Sequence, residues 1–231
     1  MRSATLAALL ALTGCAAIPR NTTVQAGTMH GVWAVFLTAG LAVYILVAGL
    51  IVFAAIAFRR RDPRVAFGAQ FSQNNPLELT WTIVPILVVG GLFAVTYAAE
   101  RHTDSVATRP AEVVRVIAFR WSWRFLYPRE AITIEGTPAG PPELVLPLDR
   151  TTEIRLTSSD VVHSFWVPAF LFKRMAIPGD VNVFDFTPKR AGVYDGRCAE
   201  FCGTFHADMP FTVRVLSPDD YARWLRSHGA A

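Results

Sequence analysis

Apolar and polar positions along the chain change their pattern three times. Arg2 is followed by an apolar run, Ala4–Leu12, and then by Leu12-Thr13-Gly14-Cys15. A charge, an apolar run too short to span a bilayer and then small residues is the pattern of a signal peptide, here over residues 1–14. Two longer stretches follow without any charge: Trp33–Phe58, 26 residues, and Trp81–Ala99, 19 residues. At about 1.5 Å per residue both are long enough to cross a hydrocarbon layer as helices. Pro85 and Gly90-Gly91 lie in the second stretch, where a membrane helix tolerates them. A buried helix of a soluble protein would also be apolar, but two such spans close together predict a transmembrane hairpin. From about Arg109 the pattern shortens. Glu112–Phe119, Glu143–Leu146, Thr151–Leu156, Val181–Phe186 and Phe211–Val215 alternate in part and are rich in Val and Ile. Pro and Gly separate these runs, so they predict short strands of an antiparallel sandwich or barrel. Ser217-Pro218-Asp219-Asp220 offers an N-cap, Pro at the first position and acids in the first turn, predicting a short final helix through Ser227.

Charge fixes the direction of the hairpin. The net charge is +4, but sixteen of the 22 Lys+Arg and sixteen of the 18 Asp+Glu lie from Glu100 onward, leaving that region neutral. The surplus is Arg2, Arg20, Arg59, Arg60, Arg61 and Arg64. It sits beside the apolar segments, which argues against a nucleic-acid partner. Four arginines between the spans place that loop in the cytoplasm. Both outer ends then lie outside, in agreement with an exporting leader. The expected organisation is a signal peptide of lipoprotein type at 1–14, an external segment 15–32 and a first membrane helix 33–58. A cytoplasmic loop 59–78, a second helix 79–99 and an external domain 100–231 complete it. Leu-Thr-Gly-Cys resembles a bacterial lipoprotein cleavage site, which makes Cys15 a candidate for acylation; an ordinary leader with a chance Cys is the plainer reading.

The candidate chemistry is concentrated near the end of the chain. Cys198, Cys202, His206 and Met209 fall within twelve residues, and His163 stands thirty-five residues before Cys198. Thiolate, thioether and imidazole together suit copper. His163, Cys202, His206 and Met209 would complete a mononuclear blue-copper set of two His, one Cys and an axial Met. Cys198 is then one thiolate too many. Two thiolates can bridge two coppers, each with one His, and with Met209 and a backbone carbonyl as weak outer ligands. Such a pair spreads one unpaired electron over both metals, reduces geometric change on redox and needs no open position, which points to electron transfer. A disulfide between Cys198 and Cys202 would leave His206 and Met209 unexplained. Zinc would make poor use of Met209.

These residues give the motif C-x-E-x-C-G-x-x-H-x-x-M over Cys198–Met209, preceded by D-x-x-H-S-F-x-V-P over Asp160–Pro168. In this motif the chain resembles cytochrome c oxidase subunit II, from the first membrane helix to the final helix. The resemblance implies a helical hairpin carrying a cupredoxin domain with the binuclear copper centre called CuA. It implies His163, Cys198, Cys202, His206, Met209 and the Glu200 carbonyl as copper ligands, with the Glu200 carboxylate reaching a magnesium at the interface with subunit I. It implies Trp121, in Arg120-Trp121-Ser122-Trp123, as the point of electron entry from cytochrome c or a cytochrome c domain of a neighbouring complex. Without the resemblance, Trp121 and Trp123 read as two residues on one face of a strand. It implies Glu78 as the acid at the mouth of a proton path; the plainer reading is an interfacial carboxylate. Before Trp121 the family's usual Gly-His-Gln is Ala118-Phe119-Arg120 here, and Met175 stands where many relatives carry a charge.

The function expected from this is the electron-entry subunit of a cytochrome c oxidase in a bacterial cell membrane. It would pass electrons to subunit I for reduction of oxygen to water coupled to proton translocation. No C-x-x-C-H haem motif occurs, so oxygen chemistry belongs to a partner chain. A quinol oxidase subunit would lack the Cys and His ligands. A CuA-bearing nitric-oxide reductase subunit and a membrane-anchored copper chaperone are the alternatives.

Overall fold

The computed structural model describes residues 22–59, 72–137 and 140–229. The leader, Cys15 and the arginine-rich stretch after Arg59 lie outside the described residues. The chain divides into a helical unit, Gly31–Glu100, and a second unit in which the segment ending at His30 joins Arg101–Ala231.

The two apolar stretches form α1 (Val24–Ala57, 34 residues) and α2 (Asn75–Asp104, 30 residues). Both extend beyond the uncharged spans because their starts are capped in polar sequence. The Thr23 hydroxyl accepts from the Ala26 N–H at 2.9 Å. The Asn74 side chain accepts from the Leu77 N–H at 3.2 Å, and the Glu78 carboxylate accepts from the Asn74 N–H at 3.2 Å. Each cap satisfies backbone donors that the first helical turn leaves without partners. Along the helices, Thr38, Thr80, Thr82 and Thr96 each donate a hydroxyl to the carbonyl four residues earlier. That is how a hydroxyl is accommodated in an apolar medium. Tyr44, Ile45, Leu46, Phe53, Ile86, Leu87, Val89 and Phe93 are exposed. Helices apolar all round and not covered by protein suit lipid as solvent.

The second unit is a two-layer sandwich of ten strands. In chain order they are β1 (Glu112–Phe119), β2 (Ser122–Tyr127), β3 (Ile132–Glu135), β4 (Glu143–Pro147) and β5 (Thr152–Ser158). β6 (His163–Val167), β7 (Phe172–Ala176), β8 (Asn182–Phe186), β9 (Gly192–Cys198) and β10 (Pro210–Leu216) follow. One sheet has the order β3-β2-β1-β5-β8 and the other β4-β10-β9-β6-β7. The sheets are mixed, not purely antiparallel as expected, since β1 pairs with β5 and β10 with β4 in parallel. The chain changes sheet between β3 and β4 and again before β5, so these neighbours come from distant sequence and run the same way. Inward side chains meet as an aromatic core in which Phe165 stacks on Phe211 at 4.6 Å and Trp123 meets Phe211 edge-on at 5.1 Å. Full burial of such rings supplies most of the driving force for the fold.

The final helix α3 (Pro218–His228) forms where its sequence places it, with the Ser217 hydroxyl accepting from the Asp220 N–H at 3.2 Å. Trp224 of α3 packs edge-on against Tyr127 at 5.0 Å. The start of α1 and the residues just before it belong to the sandwich unit: Val24 N–H donates to the Thr187 carbonyl at 3.0 Å and Lys189 N–H to that of Thr22 at 2.8 Å. Asp185, buried, binds this segment through Gln25 at 2.9 Å and the segment after α2 through the Ala107 N–H at 2.8 Å.

Candidate metal centre

Three adjacent strands bring the candidate metal-binding residues together. β9 and β10 are antiparallel neighbours, and residues 199–209 form the loop between them. The Cys198 N–H donates to the Met209 carbonyl at 3.2 Å and closes the neck of that loop. β6 lies on the other side of β9, with Phe165 opposite Cys198, so His163 at the start of β6 reaches the same end of the sheet. The Ala199 N–H donates to the Ser164 carbonyl at 3.1 Å and holds the loop to that strand.

The donor atoms form a compact cluster. Cys198 and Cys202 are free thiols with sulfurs 3.8 Å apart, far outside a disulfide bond of about 2.05 Å. His163 Nδ1 is 3.7 Å from the Cys198 sulfur, and His206 Nδ1 is 3.5 Å from that of Cys202. The Glu200 carbonyl oxygen lies 3.3 Å from the Cys198 sulfur, and Met209 Sδ 3.9 Å from that of Cys202. Each sulfur therefore has one imidazole and one weaker donor beside it. Ligand atoms of His163, Cys198 and Cys202 all lie within 4.8 Å of one another. Metal–thiolate bonds are about 2.3 Å long, so two sulfurs at this spacing can share a metal between them. Soft sulfur, imidazole and thioether donors fit copper.

The two thiols differ electrostatically. Burial disfavours both thiolates, but hydrogen bonds from His163 and the backbone bring Cys198 down to about 6. Burial, reinforced by the neighbouring Cys198 charge, pushes Cys202 up to about 12. The second thiol thus resists ionisation until a positive charge enters between the pair. Burial lowers the proton affinity of His163, and its hydrogen bonds to Cys198 and Asp160 more than reverse this. Burial also opposes ionisation of Asp160. Hydrogen bonds from His163, the Val161 N–H and the Arg120 N–H prevail and hold its carboxyl at about 2.

Trp123 and Trp121 both turn their indoles to the Cys198–Met209 loop, from different backbone settings. Trp123 points from β2 into the core, and its indole N–H donates to the Met209 carbonyl at 3.2 Å. Trp121 precedes the strand: with Arg120 it forms the two-residue turn after β1, where Phe119 pairs with Ser122. Partly exposed, Trp121 donates from Nε1 to the Cys202 carbonyl at 3.3 Å and meets the Phe205 ring at 5.0 Å. Gly203 permits this approach. Its φ is +119°, and a Cβ there would stand 3.2 Å from the Trp121 ring. Phe205, exposed beside Trp121, and Phe201, exposed with its ring 5.9 Å from that of His206, carry no sequence signal beyond their position inside the Cys198–Met209 loop. Asp160 was noticed only as part of a motif, and it is the hydrogen-bond partner of His163. Glu200 is exposed, Glu78 caps its own helix far along the sequence from this loop, and Met175 is exposed on β7.

Comparison with known proteins agrees with this site. The family model described as the periplasmic domain of cytochrome c oxidase subunit II matches residues 140–216, and that of its transmembrane domain matches residues 15–97. The "Probable cytochrome c oxidase subunit 2" of Streptomyces avermitilis is 35% identical over 90% of this chain and 77% of its own length. Cytochrome c oxidase subunit 2 of Mycobacterium tuberculosis is 30% identical over 90% of this chain and 73% of its own. Among solved structures, the periplasmic domain of subunit II of the cytochrome oxidase of Bradyrhizobium japonicum superposes with a TM-score of 0.50. It is 27% identical and covers 53% of this chain and 96% of that one. With two helices long and apolar enough to cross a membrane and a cupredoxin-like sandwich in agreement with these matches, this chain belongs to the cytochrome c oxidase subunit II family.

Proposed function

We propose that this chain receives electrons from cytochrome c, or from a cytochrome c domain of a neighbouring complex, at a binuclear copper centre. It delivers them to the haem centres of subunit I for oxygen reduction coupled to proton translocation. The observation that carries this is the pair of buried thiols 3.8 Å apart, each with its own imidazole. Bound copper supplies a one-electron carrier whose charge is shared over two metals.

The chain's own residues prepare that site. Cys198 and Cys202 would hold the copper through their thiolates, and His163 and His206 through their imidazoles. The Glu200 carbonyl and Met209 provide the weak outer donors. His163, Cys198, Cys202 and Met209 are buried, so bulk water does not compete at the sulfurs. Trp123 fixes the Met209 backbone, and Asp160 fixes the His163 ring. Trp121 stands at the surface with its indole against the Cys202 carbonyl, a contact through which an incoming electron reaches the centre. We assign the Glu200 carboxylate to a magnesium shared with subunit I, and Glu78 to the cytoplasmic mouth of a proton path. Residues 100–231 lie on the periplasmic side of a bacterial membrane, with the membrane-spanning stretches at 33–58 and 79–99, the loop 59–78 in the cytoplasm and the external segment 15–32 following a leader, 1–14. Acylation of Cys15 would add a lipid anchor.

Stopped-flow mixing of the copper-loaded, detergent-solubilised chain with reduced cytochrome c tests the electron-accepting role. Oxidation of the cytochrome should parallel bleaching of the copper absorption. Copper that stays oxidised in the presence of reduced cytochromes of both acidic and basic surface charge would overturn the reading.

A further inference from the structure

The hydrogen bonds behind His163 continue past Asp160 to Arg120. Asp160 stands three residues before it, and its carboxylate serves both sides of the site. Oδ1 lies 2.9 Å from His163 Nε2 and accepts from the Val161 N–H at 2.6 Å. Oδ2 accepts from the Arg120 backbone N–H at 2.7 Å and faces the Arg120 Nε at 3.4 Å. A carboxylate oxygen accepts, so His163 carries its proton on Nε2 and turns the Nδ1 lone pair to the Cys198 sulfur. The ring is fully buried, and the guanidinium behind the carboxylate is half-exposed.

We propose that Arg120 is a positioning residue that acts through Asp160 on His163 and sets the electron affinity of the metal centre. This rests on the reading of His163 as a copper ligand. The guanidinium is a permanent cation. It draws the carboxylate's charge away from the imidazole, which makes His163 a weaker donor to a metal. It also adds positive charge near the centre. Both effects favour the reduced state, which carries one positive charge fewer. Arg120 belongs to the turn that carries Trp121, so the same contact ties the proposed entry point to the ligand it serves.

The test is the reduction potential of the copper-loaded full-length chain, measured by spectroelectrochemistry with EPR on the same samples. Arg120→Gln keeps the backbone N–H and removes the charge. It should make the centre harder to reduce, lowering the reduced-to-oxidised ratio at fixed poise roughly 1.5- to 5-fold for a half-exposed pair. That is about 10–40 mV at 59 mV per tenfold. Arg120→Lys should restore most of the wild-type potential, and the difference from Arg120→Gln should shrink as salt is raised. Loss of copper from Arg120→Gln that Arg120→Lys repairs would support the same conclusion. A Gln variant with wild-type spectrum and potential would overturn it, as would a Lys variant indistinguishable from Gln or loss of copper in both. A wild-type chain that holds no copper pair would instead remove the underlying reading of the site.

Discussion

Gly196 offers a direct test of how the core supports the metal loop. It lies on β9 opposite Phe211 of β10. A Cβ at Gly196 would meet the Phe211 ring at 2.2 Å and 2.3 Å, well inside any real carbon contact. The ring cannot swing away freely, since Phe165 stacks on it at 4.6 Å and Trp123 and Phe125 meet it at 5.1 Å and 5.9 Å. Gly196→Ala therefore overpacks the core, with an expected cost of about 1–3 kcal/mol. At roughly 4 °C per kcal/mol for a domain of this size, the unfolding midpoint should fall by about 4–12 °C. The displacement should also reach the metal loop, because Trp123 holds the Met209 carbonyl. Thermal unfolding of the copper-loaded chain, followed by tryptophan fluorescence and the copper absorption, measures both effects. In the double variant Gly196→Ala/Phe211→Leu the clash is relieved, so the two changes should be non-additive by about 0.5 kcal/mol or more. A wild-type midpoint for Gly196→Ala, or strict additivity in the double variant, would refute this reasoning.

Three further outcomes follow from the site and its surroundings. Trp121→Ala should leave the copper spectrum intact and slow oxidation of reduced cytochrome c at least tenfold in stopped flow, on the order of what loss of one positioned contact costs; an unchanged rate would leave Trp121 a packing residue. Met209→Leu should retain copper and shift its potential, since an axial thioether tunes the metal more than it holds it, whereas His163→Ala should weaken copper binding in a competition titration. Burial, with Glu153 adding to it, keeps the Asp185 carboxyl above its ordinary 3.8 despite hydrogen bonds from Ala107 and Gln25. Its contribution to stability is therefore complete below pH 3.8 and is lost as pH rises through the raised value. Asp185→Asn should flatten the pH dependence of thermal unfolding just above about pH 4, and an unchanged slope would contradict this.

Much of the architecture was legible because it depends on local signals. Two long uncharged runs gave the helices, and Ser217-Pro218-Asp219-Asp220 gave α3 with its cap residue correct. Val- and Ile-rich runs marked five of the strands. β2, β3, β6, β7 and β9 lie outside those runs; in β9, Gly192, Asp195 and Gly196 give little strand propensity, and pairing with β10 and β6 determines the strand. The parallel β1–β5 and β4–β10 pairs depend on which sheet the chain enters, which no short window records. At the site, the spacing of Cys198, Cys202, His206 and Met209 already marked soft-metal chemistry. What the spacing could not give was the tertiary support: Asp160 behind His163, Trp123 on the Met209 carbonyl, and Trp121 in a turn against Cys202.

Metal analysis and EPR of the reconstituted full-length chain decide whether the site holds two coppers. Two coppers per chain are expected, with one unpaired electron shared equally between two nuclei of spin 3/2, giving a seven-line hyperfine pattern. Cys198→Ser should remove one bridge and collapse this to the four-line pattern of a single copper held by His163, Cys202, His206 and Met209. One copper with a four-line spectrum in the wild-type chain, or zinc bound in preference to copper, would contradict the account.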